Sequence, residues 1–146
     1  MSSHPNVPEI LTASAPEVEM HAALMLALRM LPPQTAEALR WSVIAETRRT
    51  PAALGVLAVA RNEQRGIVGA AWGQLGSGNV AQVWPTQWLA EREISGCDPL
   101  LAALLAELPR RGVTFAQTLL PDATCRDAQT VLGAGFTHAA DLAYLG

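Results

Sequence analysis

The spacing of apolar residues changes character near residue 55, and the two halves of the chain predict different elements. From Pro16 to Leu31 apolar residues lie nearly all round, interrupted by His21 and Arg29. That pattern predicts a well-buried helix. Pro16 suits a first helical turn, Glu17 and Glu19 suit a helix N-terminus, and Pro32-Pro33 stops the run. A second, amphipathic helix follows over about residues 35–49, with Ala36, Leu39 and Val43 on one side and Glu37, Arg40 and Arg48 on another. Ahead of both, Ile10 and Leu11 predict a short edge strand.

After Gly55 the runs shorten. Val56 to Ala60 is a continuous apolar run, ended by turn-forming residues 61–66, and it reads as a buried strand. Ile67 to Leu75 predicts a second strand, Gly76-Ser77-Gly78-Asn79 a hairpin loop, and Val80 to Trp84 the start of a third strand. Pro85 cannot donate to a sheet ladder, so it marks a bulge or a strand end, with residues 86–97 irregular. Asp98-Pro99 is the sharpest local signal, an N-cap aspartate followed by proline at the first helical position. Leu101, Leu104, Leu105 and Leu108 then follow at helical spacing, closed by Pro109 and Gly112. A strand over 113–120, a helix over about 124–132 ended by Gly133-Ala134-Gly135, and a last strand over 136–145 complete the order. A meander followed by strand–helix alternation predicts a mixed α/β sheet with helices on both faces.

Composition narrows the class. The 146 residues suit one domain, 1–146, and half of them are hydrophobic while only 16% are charged. So charge-poor a surface leaves room for a homo-oligomeric contact or a second domain. The net charge of −3 offers no field for nucleic acid, and all ten basic residues are arginine. Cys97 and Cys125 have no CxxC partner, fit neither a disulfide scaffold nor a metal site, and suit a reducing cytoplasm. The first residues carry no secretory pattern, and the longest apolar run, Ala22 to Leu28, is far short of a membrane span. No membrane partner is therefore expected.

This element order resembles the GNAT superfamily of N-acetyltransferases from about residue 16 onward, most closely after Val80. Val83-Trp84-Pro85 is similar to the Val-x-Pro that ends the family's fourth strand, Leu100 to Val113 to its long helix and next strand, and Ala134-Gly135-Phe136 to its Gly-Phe corner. The resemblance implies a mixed, mostly antiparallel sheet, with acetyl-CoA as co-substrate and a small-molecule or peptide amine as acceptor. It implies that the fourth strand splays from the fifth at a bulge, where Val83 and Trp84 present backbone groups to the pantetheine arm. It further implies that Arg92, Ser95, Gly96, Cys97 and Asp98 hold the pyrophosphate at the start of the next helix.

Several positions depart from the family pattern. Ser95 stands for the first glycine of the phosphate loop, Cys97 for its small residue, and Pro85 to Arg92 is longer than usual. Val131 stands where the family often has a tyrosine that protonates the departing thiolate, and Thr124 where it has an asparagine. The chain ends at Gly146 before the strand the family usually adds last. Two functions follow from this reading: an acetyl-CoA-dependent N-acyltransferase, or a GNAT-fold binding module without catalysis. Cys97 reads as a small buried thiol, His21 and His138 as surface or edge residues, and Tyr144 as packing. Trp72, Trp84 and Trp88 either pack or line an acceptor cleft, and Arg48-Arg49 and Arg110-Arg111 read as solvated helix ends.

Overall fold

The computed structural model describes residues 7–62, 66–90, 98–118, 120, 131–132 and 136. Strand β1 (Pro8–Leu11) precedes helices α1 (Glu17–Ala27) and α2 (Pro33–Arg49), and a 3-10 turn (Pro51–Leu54) leads into the sheet. Strands β2 (Val56–Asn62), β3 (Gly66–Leu75) and β4 (Val80–Trp88) form an antiparallel meander. Helix α3 (Pro99–Glu107) and a second 3-10 turn (Leu108–Arg111) cross over to β5 (Phe115–Gln117), which pairs parallel with β4. The sheet runs β1-β2-β3-β4-β5, antiparallel except at its last pair.

The helical boundaries show how proline works at both ends of a segment. Pro16 caps α1 without entering it, and the helix stops at Ala27, before the expected Leu31. Pro33 does not merely end the first helix. It is the first residue of α2, where a missing N–H costs nothing because first-turn amides have no helical acceptor. At the change of period, Gly55 adopts φ 72°, and a Cβ there would lie 2.3 Å from the Gly73 carbonyl oxygen. Only glycine lets the chain enter β2 so close to β3.

Both faces of the sheet are covered, which explains why Val56–Ala60 is buried without alternation. Leu57 and Val59 join Ala70, Trp72 and the apolar sides of α1 and α2, including Leu24, Leu28 and Ile44. Val56, Ala58 and Ala60 join Ala71, Ala81, Val83 and the α3 leucines 100, 101, 104 and 108. Arg61 ties the edge together by bonding Glu9 of β1 at 2.8 Å and, through both terminal nitrogens, Glu19 of α1. Arg48 of α2 forms a two-pronged pair with Glu17 of α1 at 2.6 and 2.7 Å.

The third strand of the meander differs from the sequence expectation. It does not end at Pro85 and residues 86–88 are not irregular, because the ladder with β3 resumes at Gln87 and continues to Trp88. Conversely, β5 forms only over 115–117 of the expected 113–120. Val131 and Leu132 are helical, in keeping with the helix expected there. The remainder of that helix and the strand expected after Phe136 lie outside the described residues.

Candidate functional site

The site is built where β4 changes phase. Its pairs run Trp72↔Trp84 and then Ala70↔Gln87, so β3 advances two residues while β4 advances three. The extra residue falls at Pro85-Thr86, opposite Ala71. Such a bulge bends the strand and moves every later side chain to the other face. Before it, Trp84 packs on the α1–α2 side, stacked on Trp72 with ring centroids 6.0 Å apart, while Val83 packs on the α3 side. Beyond it, Gln87 accepts a 2.9 Å bond from Arg29 at the end of α1, and Trp88 packs among the α3 leucines. Thr86, opposite Ala71 and two residues before Trp88, shares the α3 side with both by alternation.

The ladder to β5 stops just before this bulge. Its register is Val80↔Phe115, Ala81↔Ala116 and Gln82↔Gln117, and no later pair forms among the described residues. The Gly76 N–H donates to the Val80 carbonyl at 2.8 Å, and the Phe115 N–H donates to the Asn79 carbonyl. Those two bonds fix the backbone phase: residues 80, 82 and 84 address β3, whereas 79, 81 and 83 address β5. The last register pair uses the Val83 N–H on the Gln117 carbonyl, so the Val83 carbonyl is the first group beyond the ladder. Trp84 turns its backbone to Trp72, and Pro85 has no N–H. The two strands thus separate at a short edge that offers acceptors and no backbone donor up to Pro85.

Two hydroxyls stand on this edge. Thr86 is only 6% exposed, and its Oγ1 is fully buried without a hydrogen-bond partner. Thr118, the residue after the last rung on β5, has a buried Oγ1 in the same condition. Ala116 faces the α3 side, so alternation carries Thr118 there too.

Asp98 is a helix cap. Its carboxylate, 1% exposed, accepts from the Leu100 and Leu101 amides at 2.9 and 3.1 Å and from the Trp88 indole N–H at 2.8 Å. It therefore joins the start of α3 to the part of β4 beyond the bulge, and it occupies the amides that a helix N-terminus would otherwise turn to an external anion. Gly69, paired with Trp88, makes room for the indole, since a Cβ there would lie 2.5 Å from the ring.

Of the residues expected at the site, Val83 and Trp84 thus lie on either face at the ladder's end, and Asp98 lies beneath Trp88. Arg92, Ser95, Gly96 and Cys97 lie outside the described residues, as do Thr124, Cys125, His138 and Tyr144. Trp72 is a core residue whose Nε1 donates to the Leu54 carbonyl at 2.7 Å, and Trp88 is almost as deeply buried. Neither lines an open cleft. His21 packs its ring on Trp41 with centroids 4.5 Å apart. Arg110 and Arg111 both approach Glu107, at 3.6 and 3.3 Å, as helix-end pairs. Sequence reasoning missed Thr86, Gln87 and the second role of Trp88, although the β-favouring Thr-Gln-Trp after the proline carried a signal for a resumed strand.

No family model matches the sequence, and neither does any curated protein. Solved structures do match. One is a GNAT family acetyltransferase from Brucella melitensis in complex with acetyl-CoA, at TM-score 0.56 and 16% identity over 82% of this chain and 80% of that one. Another is AAC(6')-Iy in complex with the bisubstrate analogue CoA-S-monomethyl-acetylneamine, at TM-score 0.60 and 14% identity over 95% of this chain and 97% of that one. At these identities the likeness is one of architecture, a mixed sheet with helices on both faces, and the chain has the GNAT-like fold.

Proposed function

We propose that the chain is an acetyl-CoA-dependent N-acyltransferase acting on a small-molecule or peptide amine. The observation that supports this most directly is the coincidence of the β4 bulge with the end of the β4–β5 ladder. It leaves a buried edge open to an extended, amide-bearing ligand. In this reading the Val83 carbonyl accepts from an amide of the pantetheine arm, and Trp84, set by its stack on Trp72, forms the wall on the opposite face. The segment 92–97, by its resemblance to the family's phosphate loop, supplies the pyrophosphate contacts through Arg92, Ser95, Gly96 and Cys97. Asp98 holds the start of α3 and Trp88 in place.

The reaction is direct attack of the amine nitrogen on the thioester carbon. The N–C bond forms, the C–S bond breaks, the nitrogen loses a proton to water and the thiolate gains one. Positioning supplies most of the acceleration. Val131, 2% exposed in the core beside α3, cannot donate a proton where the family often has a tyrosine. That residue favours the second reading, a coenzyme-binding module without turnover. Among the described residues no helix is long and apolar enough to cross a membrane, and two cysteines without a CxxC partner in the sequence suit a cytoplasmic setting. Thermal stabilisation by acetyl-CoA and by CoA, followed by thiol release with a panel of amines, tests both readings. A shift with turnover supports the transferase, and a shift without turnover supports the module. No shift at millimolar ligand refutes both.

A further inference from the structure

We infer that Thr86, with Thr118 across the gap, is the hydrogen-bond donor of this site and bonds a carbonyl oxygen of the bound acyl-thioester ligand. This rests on the proposed coenzyme reading and adds a residue to it. A buried hydroxyl without a partner costs roughly 1–3 kcal/mol, which makes an orphaned one rare in a folded protein. Two occur among the described residues, and both belong to the same small region. Thr86 occupies the bulge of β4, and Thr118 follows the last rung of β5. Alternation puts both on the α3 side, where the two strands part.

The chemistry of the edge favours a hydroxyl donor at this point. A ligand arm carrying amides and a thioester presents carbonyl oxygens as well as N–H groups. The buried backbone from Val83 to Pro85 has the Val83 carbonyl beyond the ladder but no N–H to give: that of Val83 is on Gln117, that of Trp84 is turned to β3, and Pro85 has none, so the first backbone N–H that alternation turns to the gap is that of Thr86 itself, beside its hydroxyl. The amides of Leu100 and Leu101 at the helix start are held by Asp98. A hydroxyl can rotate to donate wherever an acceptor arrives. Thr86 is the deeper of the two and is positioned by the bulge itself, so it is the primary donor and Thr118 the secondary one.

The test compares Thr86→Val, which keeps the β-branched shape and removes the hydroxyl, with Thr86→Ser, which keeps the hydroxyl. Calorimetric titration with CoA and with acetyl-CoA is run on both variants, on Thr118→Val and on the unaltered protein. Thermal unfolding without ligand checks the fold. Thr86→Val should be as stable as the unaltered protein or more so, because the unpartnered group is gone, yet bind about three- to tenfold more weakly. Thr86→Ser should bind normally, and Thr118→Val should lose less. Equal loss for CoA and acetyl-CoA identifies an arm amide as the acceptor, whereas loss confined to acetyl-CoA, with slower turnover, identifies the thioester carbonyl. Unchanged affinity of a folded Thr86→Val for both ligands overturns the assignment while leaving the coenzyme reading intact. An unaltered protein that binds neither ligand overturns both.

Discussion

Replacing Asp98 isolates the joint between α3 and β4, because three donors among the described residues converge on its carboxylate. Alanine removes a cap from Leu100 and Leu101, which costs about 1 kcal/mol. It also strips the 2.8 Å acceptor from the Trp88 indole, and a buried N–H left without a partner costs about 1–3 kcal/mol more. The expected loss is therefore about 2–4 kcal/mol, or a fall in Tm of roughly 6–12 °C for a domain of this size. Asparagine separates the two parts. It caps helices as well as aspartate does, but its amide cannot accept from the indole and the helix amides at once. Asp98→Asn should thus lose only the second contribution, about 1–3 kcal/mol. Trp88→Phe should be costly alone and much less so in the Asp98→Ala background, giving a coupling of about 1–2 kcal/mol. Urea unfolding followed by circular dichroism measures the four variants and the unaltered protein. Asp98→Asn within about 0.5 kcal/mol of the unaltered protein, or independent effects of the two residues, would refute the joint.

Three further outcomes are expected. Gly69→Ala should destabilise by about 1–3 kcal/mol through overpacking, since the added Cβ meets a Trp88 ring pinned by Asp98, and Trp88→Leu should restore part of the loss, as read by Tm. Gly55→Ala should be worse, because its Cβ meets the Gly73 carbonyl and the residue adopts positive φ; poor recovery of folded protein is the readout. Hydrogen bonding to Arg61 holds the Glu19 carboxyl below its ordinary value, as Arg48 does for Glu17. A depressed folded value means stability that is present above the ordinary carboxylate range and is lost as pH falls through the folded value. Denaturation midpoints measured from pH 6 downward should therefore fall less steeply in Glu19→Gln than in the unaltered protein.

Much of the fold was legible because local chemistry decides it. Asp98-Pro99 starts α3 where the cap-and-proline pair predicts, and the glycine at 55 marks the change from helix to strand. The continuous apolar run 56–60 foretold a strand covered on both sides. What was not legible depends on partners distant in the chain. Pro85 signalled a bulge or an end, and the choice between them lies with Ala70 and Gly69 on β3, which resume the ladder with Gln87 and Trp88. The position of Trp88 is decided by the missing side chain at Gly69 and the carboxylate of Asp98. Near the candidate site, the bulge beside Val83 and Trp84 was signalled by Pro85, whereas the buried, unpartnered hydroxyls of Thr86 and Thr118 have no sequence signature at all.

The bulge at Pro85-Thr86 also sets how this stretch can change in length. Loops elsewhere can gain or lose a residue with only local effect, since closure cost rises slowly with length. Deleting one residue here would give β3 and β4 a more regular ladder while inverting the sidedness of all that follows. The indole would be carried to the face of α1 and α2, the glutamine that meets Arg29 would be driven among leucines, and the aspartate would cap a helix no longer fastened to the sheet. The irregular pairing is thus the reading frame of the strand, and an insertion or deletion within it is a frameshift in three dimensions.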